Sequence, residues 1–263
     1  MPSALVPING RPLFVEVSGS GPALIALHGL GGSTNLFPIA SALEDRFTVV
    51  RFDFEGAGKS PLASEELVMA RYVEDVKSVL EYAGKGGEKA AIFGHSLGAA
   101  VGLHFAATYP DLVSHLVLSC PGMPRAGNPA GVKASLDLAE LARTKTPFNM
   151  ADFTAMKNTA PSCTSPIARA LIRTAMQESP AEGYAKTCEM VSRTGPPAWD
   201  RIGVRTLIIA GEEDQISSVE QAEAVKGCLV SAKSVKVVPV AAGHQPAVEC
   251  PETVLSLLTE FLA

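Results

Sequence analysis

Residues 89–107 read KAAIFGHSLGAAVGLHFAA, and this stretch decides the fold class of the chain. The short apolar run at 89–93 has the composition of a buried strand, and residues 97–107 have the composition of a helix. The pentapeptide GHSLG at 94–98 joins them and matches the pattern G-x-S-x-G, which places a serine on a sharp strand-to-helix turn. We therefore predict that Ser96 is a nucleophile; the alternative is an ordinary serine at a helix N-terminus.

The same alternation of apolar runs and helical stretches extends in both directions from this motif. Further strands are predicted at 23–27, 47–52, 115–119, 204–210 and 234–240, after a hairpin that joins 4–8 to 12–17 through Asn9-Gly10. Helices are predicted at 35–43, 64–83, 97–108, 217–227 and 251–262. This order predicts an α/β fold with a mostly parallel sheet flanked by helices.

One interval departs from this alternation, because no strand-like run occurs between residues 123 and 198. Its helical segments are predicted at 131–144, 149–158, 165–178 and 181–193. We therefore predict a core made of residues 1–122 and 199–263, with residues 123–198 inserted as a helical cap, or lid. The lid is expected above the carboxyl ends of the strands, where open α/β sheets bind ligands.

Composition excludes several classes of protein. The 263 residues carry a formal net charge of −5, with 47% hydrophobic and 19% charged residues, which excludes a disordered chain and disfavours nucleic acid as a partner. No apolar run reaches the ~20 residues that span a bilayer, and the N-terminal residues do not resemble a signal peptide, so we expect no membrane partner and a cytoplasmic location. The five scattered cysteines predict neither a disulfide framework nor a zinc site, and no part in the active site. We predict no cofactor and no metal, and the oligomeric state is left open.

The segment HGLGG at 28–32 follows the first predicted core strand. A hydrolase that uses Ser96 needs two backbone N–H groups directed at the developing oxyanion. We predict that Leu97, the residue after the serine, provides one, and that Leu30 provides the other, with Gly31 as the alternative. The alternative without a catalytic role is an ordinary glycine-rich turn. A phosphate-binding loop is disfavoured, because no Lys-Ser/Thr pair follows.

A general base and an acid are expected to follow the serine in chain order. Of the five histidines, His244 comes directly after the strand at 234–240, where an α/β sheet places catalytic side chains. The other four either belong to the two glycine-rich motifs or have ordinary structural interpretations: His28, His95, His104 and His115. Asp214 follows the strand at 204–210 and is predicted as the acid, with Glu213 as the alternative.

Five segments together resemble those of α/β-hydrolase-fold serine hydrolases: HGLGG at 28–32, DFEGAGKS at 53–60, GHSLG at 94–98, GEEDQIS at 211–217 and AGHQPAVECPE at 242–252. The chain is most similar to the branch of 3-oxoadipate enol-lactonase-like proteins and small carboxylesterases. The resemblance implies the roles already given to Ser96, His244 and Asp214, and to the N–H groups of Leu30 and Leu97. Family members usually carry arginine where this chain has Glu55, which puts the packing of that loop in doubt.

These observations predict a metal-independent serine hydrolase that cleaves a small-molecule ester or lactone through an acyl-enzyme. Two alternatives stay open: a hydrolase-like receptor for a small molecule, and a hydrolase or lyase that breaks a C–C bond with the same three residues. One of the lid arginines could bind a substrate carboxylate. The candidates are Arg125, Arg143, Arg169, Arg173 and Arg193.

Overall fold

A computed structural model describes residues 3–145 and 147–263 of the chain, with the backbone alone for residues 147–149. The strands are β1 (Ala4–Ile8), β2 (Arg11–Gly19), β3 (Ala23–Leu27), β4 (Thr48–Phe52), β5 (Ala90–His95), β6 (Val113–Ser119), β7 (Arg205–Gly211) and β8 (Ser234–Val240). The helices are α1 (Met69–Tyr82), α2 (Leu97–Thr108), α3 (Pro129–Thr144), α4 (Pro147–Asn158), α5 (Pro166–Glu178), α6 (Ala181–Arg193), α7 (Val219–Cys228), α8 (Pro246–Glu249) and α9 (Pro251–Phe261).

The eight strands of the described chain form one sheet in the order β1-β2-β4-β3-β5-β6-β7-β8. The pairs β1–β2 and β2–β4 are antiparallel, and every pair from β4 to β8 is parallel. The predicted mostly parallel sheet is therefore confirmed. Because parallel strands bring their carboxyl ends to one edge, the segments that follow β3, β5, β6, β7 and β8 gather there.

Both faces of the sheet are covered, which explains why its strands are continuous apolar runs rather than alternating ones. All five residues of β3, ALIAL, are buried. One core cluster packs the sheet against α1, α2 and α7, and the other packs the opposite face against α9 and the segment that precedes β4. At the edge of the sheet formed by β1 and β2, Asn9 and Gly10 both have positive φ, 48° and 78°, as a two-residue turn in this hairpin requires.

Two of the predicted helices differ from the structure. The segment predicted as a helix at 35–43 forms two 3₁₀ turns, Thr34–Leu36 and Ala40–Leu43. Pro38 lies between them, and a residue that precedes proline is disfavoured in the helical region. Phe37, with ψ of 64°, accordingly leaves that region.

The helix predicted to start at Ser64 begins instead at Met69. The backbone N–H groups of Ala63 and Ser64 both donate to the carboxylate of Glu55, at 3.0 and 2.6 Å, and this holds the segment as a loop. Val68, in an extended conformation, precedes the first helical turn and provides no side-chain cap.

Glu55 belongs to a buried cluster of charged groups. Arg11 of β2 contacts the carboxylate of Glu55 and lies 2.5 Å from that of Asp75 on α1. Both carboxylates are fully buried, and the arginine side chain is 11% exposed. Glu55 occupies a position where family members usually carry arginine, which put the packing of its loop in doubt. In the structure, the guanidinium of Arg11 from β2 holds this loop.

Helices α3 to α6 occupy the chain between β6 and β7, at the edge where the strand ends gather. Helix α3 packs against α6 and α4 against α5. A side chain at Gly183 of α6 would overlap the carbonyl of Gly56, so the helices approach the strand-end loops closely. The division of the chain into a core and a cap domain stays a prediction. None of the described helices is both long enough and apolar enough to span a membrane.

Candidate active site

Ser96 lies on a strained turn between β5 and α2. Its φ of 50° and ψ of −111° place a non-glycine residue outside the commonly populated regions, a cost that folded proteins tolerate mainly at functional sites. The surrounding structure fixes this turn. The Ser96 N–H donates to the carbonyl of Ser119 at 2.9 Å, and a side chain at Gly98 would overlap the carbonyl of Leu27. The hydroxyl of Ser96 is thereby held at the carboxyl edge of the sheet.

The structure brings the three residues predicted as nucleophile, base and acid into one hydrogen-bonded chain. Nε2 of His244 lies 2.9 Å from Oγ of Ser96, and Nδ1 of His244 lies 2.7 Å from Oδ2 of Asp214. The side chains of His244 and Asp214 are buried. This arrangement fixes one tautomer, in which Nδ1–H donates to the carboxylate and Nε2 accepts from the serine hydroxyl.

Asp214 is held as an anion by its surroundings. Its second oxygen, Oδ1, accepts from the backbone N–H groups of Ile216 at 2.7 Å and Ser217 at 2.9 Å. Burial acts to raise the pKa of this carboxyl, but the hydrogen bond and charge interaction with His244, together with the two N–H donors, outweigh burial and lower the pKa. A carboxylate that stays ionised can fix and stabilise the imidazole beside it.

The alternative acid, Glu213, is occupied elsewhere. Its carboxylate accepts hydrogen bonds from the backbone N–H and the hydroxyl of Ser162, in the segment between α4 and α5. Neighbouring carboxylates thus point to different partners, because successive residues after a strand face different directions. The geometry favours Asp214 over Glu213.

Glu249, on α8, is a residue that the sequence reasoning missed. Its carboxylate accepts from the backbone N–H groups of Gly243 and Gln245, both at 3.1 Å, so it holds the peptide groups on either side of His244. The same carboxylate accepts from the N–H of Ala160, beyond the end of α4, at 2.7 Å. The N–H of His244 donates in turn to the carbonyl of Asn158 at 2.9 Å. A glutamate one helical turn after the candidate histidine was the available signal.

The glycine-rich segment after β3 forms a tight turn beside Ser96. The N–H of Gly32 donates to the carbonyl of Gly29 at 3.0 Å, and Gly31 has φ of 68°, which favours glycine. Leu30 lines the same cavity as Ser96 and Leu97. Leu97 is the first residue of α2, where a backbone N–H has no partner within the helix. Both residues predicted to provide oxyanion donors therefore line the cavity that contains the serine.

Two further histidines surround the site without joining the hydrogen-bonded chain. Nδ1–H of His28 donates to the carbonyl of Gly29 at 2.7 Å, and Nε2 accepts from the N–H of Phe54 at 3.0 Å. Burial outweighs the hydrogen bond to Gly29 and lowers the pKa of His28 to about 4, so this ring is neutral and structural. The ring of His95 packs edge-on against that of His244, with centroids 5.0 Å apart, and burial also lowers its pKa.

Cys120 lies closer to the site than we expected of any cysteine from the sequence. The residue follows β6 with φ of 48°, and its Sγ lies within 4.8 Å of ligand atoms of Asp214 and His244. Burial raises the pKa of its thiol well above the usual range, so it stays protonated and is a weak metal ligand. Asp214 and His244 already bind each other, and a protonated thiol is a poor third ligand, so these residues are poorly suited to holding a metal.

A mostly apolar cavity opens onto Ser96. It encloses about 750 Å³ of empty space, counting its open mouth, and lies between α2, the start of the lid and the segment between α6 and β7. Arg125 is the one residue with a formal charge among the described residues that line it. Nη1 of Arg125 donates to the hydroxyl of Ser135 at 3.2 Å.

The other lid arginines have partners outside the cavity. Arg143 pairs with Glu182 and Glu189, Arg173 with Asp152 and Arg193 with Glu66, whereas Arg169 donates to the carbonyl of Cys163. Of the five candidate arginines, Arg125 is thus the one that lines the same cavity as Ser96.

A serine on a strained strand-to-helix turn, hydrogen-bonded to a histidine and a carboxylate that follow later strands, is typical of hydrolases with this sheet. The model of the alpha/beta hydrolase family matches residues 24–257, and the chain belongs to this family.

Individual relatives include enzymes with different substrates. Over 94% of its length the chain is 29% identical to pyrrolizixenacetamide deacetylase of Xenorhabdus hominickii, covering 92% of that protein. A malate-bound esterase from Thermogutta terrifontis superposes with a TM-score of 0.87 at 25% identity, covering 100% of this chain and 98% of the other. An enol-lactonase from Burkholderia xenovorans LB400 gives 0.88 at 23% identity, covering 99% of both chains. The chain spans 33% of the length of the uncharacterized Mycobacterium proteins that it also matches, at 35% identity over 119 residues.

Proposed function

We propose that this hydrolase cleaves a small-molecule ester or lactone through an acyl-enzyme formed on Ser96. The observation that carries the proposal is the hydrogen-bonded chain from Ser96 through His244 to Asp214, with distances of 2.9 and 2.7 Å, which begins at a serine that lines an apolar cavity. Its similarity to a solved esterase at 25% identity supports the same chemistry.

In the first half of the reaction, Oγ of Ser96 attacks the carbonyl carbon while Nε2 of His244 takes the hydroxyl proton. Asp214 accepts from Nδ1–H and stabilises the imidazolium. The carbonyl oxygen becomes an oxyanion that the N–H groups of Leu30 and Leu97 stabilise. His244 then returns its proton to the leaving alkoxide oxygen, the C–O bond breaks, and the acyl group remains on Ser96.

In the second half, a water molecule gives a proton to His244 and attacks the acyl carbon, and the carboxylic acid leaves as Ser96 regains its proton. For a lactone, the leaving hydroxyl remains tethered to the acyl chain, so the product is a single hydroxy acid. These steps balance without a metal or a cofactor.

Arg125 extends the proposal to the substrate class. A half-buried guanidinium with free N–H donors in an apolar cavity attracts a carboxylate, because charge-assisted hydrogen bonds are strongest where water is scarce. We therefore infer that the preferred substrate carries a carboxylate away from the carbonyl that is attacked.

The test of the reaction is an organophosphonate probe combined with a panel of aryl esters, γ- and δ-lactones, and their carboxylate-bearing analogues. Labelling and turnover are expected in the parent protein, and Ser96→Ala should lose both. Ser192→Ala is the matched control, since Ser192 of α6 donates to the carbonyl of Glu189 and does not line the cavity. Labelling that persists in Ser96→Ala contradicts the proposal.

A further inference from the structure

Helix α2 exposes a single stripe of residues. From Ser96 to Thr108, every residue is buried except Ser96, Ala100, His104 and Thr108. Residues four apart lie on one side of a helix, so this stripe starts at the candidate nucleophile and runs along the whole helix. At 1.5 Å per residue it is about 18 Å long.

Two cavities lie end to end along this stripe. The inner cavity contains Ser96, Ala100 and His104, and an outer one of about 830 Å³, including its open mouth, contains His104 and Thr108. The two cavities share four lining residues, which therefore form the partition between them: Met69, His104, Thr194 and Gly195. A side chain at Gly195 would meet no atom within 4 Å, so open space lies beside the partition.

The outer cavity has a mixed lining, with apolar residues beside polar and charged ones. The start of α1 and the end of α6 provide apolar side chains to it, namely Leu67, Val68, Met69, Val73 and Met190. Val68 is 40% exposed there, an unusual position for a valine next to a buried core. The charged lining residues have other partners: Glu74 accepts from the hydroxyl of Tyr109, and Arg193 pairs with Glu66 at 3.0 Å.

The partition itself carries no charge near neutral pH. His104 is half-buried, and burial lowers the pKa of its ring despite a hydrogen bond to the backbone of Gly195. A neutral ring at the far end of the apolar inner cavity is compatible with an alkyl chain packed against it. Nothing in the Ser96–His244–Asp214 chain requires the space beyond this ring.

We propose that the two cavities form one trough for an unbranched alkyl chain of the substrate, and that His104 is the specificity-determining residue that limits chain length. The distance along α2 from Ser96 to His104 is about 12 Å, and Thr108 lies about 6 Å further on. Chains that fit the inner cavity bind fully, whereas longer ones meet the imidazole ring. This inference rests on the proposed ester hydrolysis and names part of its substrate.

The kinetic test uses p-nitrophenyl esters from acetate to dodecanoate, and a second series that varies the alcohol. In the parent protein, kcat/KM should fall once the chain reaches His104. His104→Ala should raise kcat/KM for the longest ester, relative to the shortest, by about tenfold or more, because roughly 0.8 kcal/mol is gained per methylene buried. His104→Trp should move the maximum to shorter chains.

The matched control is His115→Ala. His115 of β6 is also a partly buried histidine, but it packs against Phe261 and lies outside both cavities. Its length profile should equal that of the parent protein. An unchanged profile in both His104 variants, with thermal unfolding showing that they are folded, overturns the inference.

A binding measurement separates this inference from the proposed reaction. Trp199 is the chain's one tryptophan and lines the inner cavity, so its fluorescence reports occupancy. Ser96→Ala, alone and with His104→Ala, is titrated with primary alcohols from butanol to decanol, and the length limit should move outward in the double variant. If no ester is hydrolysed but this limit moves, the trough is supported and the reaction is wrong. If esters are hydrolysed and the limit stays, the trough is wrong.

Discussion

The carboxylate of Asp214 accepts hydrogen bonds from three partners, of which His244 is one. Two backbone N–H groups satisfy one carboxylate oxygen, which leaves the other oriented towards the imidazole at 2.7 Å. An amide in its place would present an NH₂ group either to those N–H donors or to Nδ1–H. The residue type is therefore fixed by the direction of every hydrogen bond around it.

We predict that Asp214→Asn lowers kcat by about 10⁴-fold while the fold is retained, because the amide favours the wrong histidine tautomer. Steady-state kinetics on an ester that the parent protein cleaves, with a thermal melt, measures both effects. Glu213→Gln is the control, since Glu213 contacts Ser162 instead. Equal damage from the control, with Asp214→Asn nearly silent, would transfer the role to Glu213.

A second prediction concerns the recognition of a substrate carboxylate by Arg125. Arg125→Met should lower kcat/KM for a carboxylate-bearing ester by about 10–100-fold, as expected for a charged hydrogen bond of about 1.5–3 kcal/mol. A neutral ester of similar shape should change little. Arg173→Met, which removes a lid arginine that pairs with Asp152 outside the cavity, should affect neither substrate. Parallel losses on both substrates would show that Arg125 supports structure rather than recognition.

At the scale of elements, the turn after β3 and the start of α2 together define where an oxyanion can lie. Gly31, with φ of 68°, closes the turn, and a side chain there would come within 3 Å of Met176 and Tyr184 in the lid. The turn, the first residue of α2 and the lid therefore constrain one another. The backbone at Leu30, rather than its side chain, is the part that the proposed reaction uses.

We predict that Leu30→Ala costs less than about tenfold in kcat, because the N–H is kept, whereas Leu30→Pro removes it and costs about 10²–10³-fold. Thermal melts of both variants establish that the turn still folds. A folded Leu30→Pro protein with near-normal kcat would assign the second donor to another residue, with Gly31 the first to examine.

The sequence predicted the elements that depend on one dominant signal. Apolar runs placed all strands of the parallel sheet, and G-x-S-x-G placed the turn at Ser96. The helix predicted at 35–43 was wrong because Pro38 interrupts it, whereas the start predicted at Ser64 was wrong because the Glu55 carboxylate holds Ser64 in a loop. The contacts of Glu249 and the position of Cys120 were not predicted, because neither a motif nor periodicity shows which strand ends meet.

On the scale of the whole molecule, the cluster of Arg11, Glu55 and Asp75 joins β2, the loop after β4 and α1 below the site. Burial works against ionisation of Glu55, but hydrogen bonds from Ser64, Ala63 and Arg11 outweigh burial and lower its pKa. A carboxyl with a lowered pKa stabilises the folded state above its unfolded-state pKa, and this contribution is lost as the pH falls.

We predict that Arg11→Met lowers the free energy of unfolding by about 3–5 kcal/mol at neutral pH, because two buried carboxylates lose their counter-ion. The deficit should shrink as the pH falls towards 5, since the carboxyl groups can then take up protons in the variant. Urea unfolding across this pH range measures both effects. Lys133→Met, which removes an exposed pair with Asp137, should change stability little at any pH. A deficit that grows on acidification contradicts the argument.

Asn158 accepts a hydrogen bond from the backbone of His244, and Ala160 donates one to the carboxylate of Glu249. The end of α4 therefore helps to hold the imidazole in place. A displacement of this helix end would pull the base away from Ser96, so an opened molecule would hold an ordinary, unactivated serine. These contacts link the reactivity of Ser96 to the position of the end of α4, so the serine is activated only while this helix end stays in place. If the end of α4 moves when substrate enters or product leaves, it must return to these contacts before Ser96 is activated again.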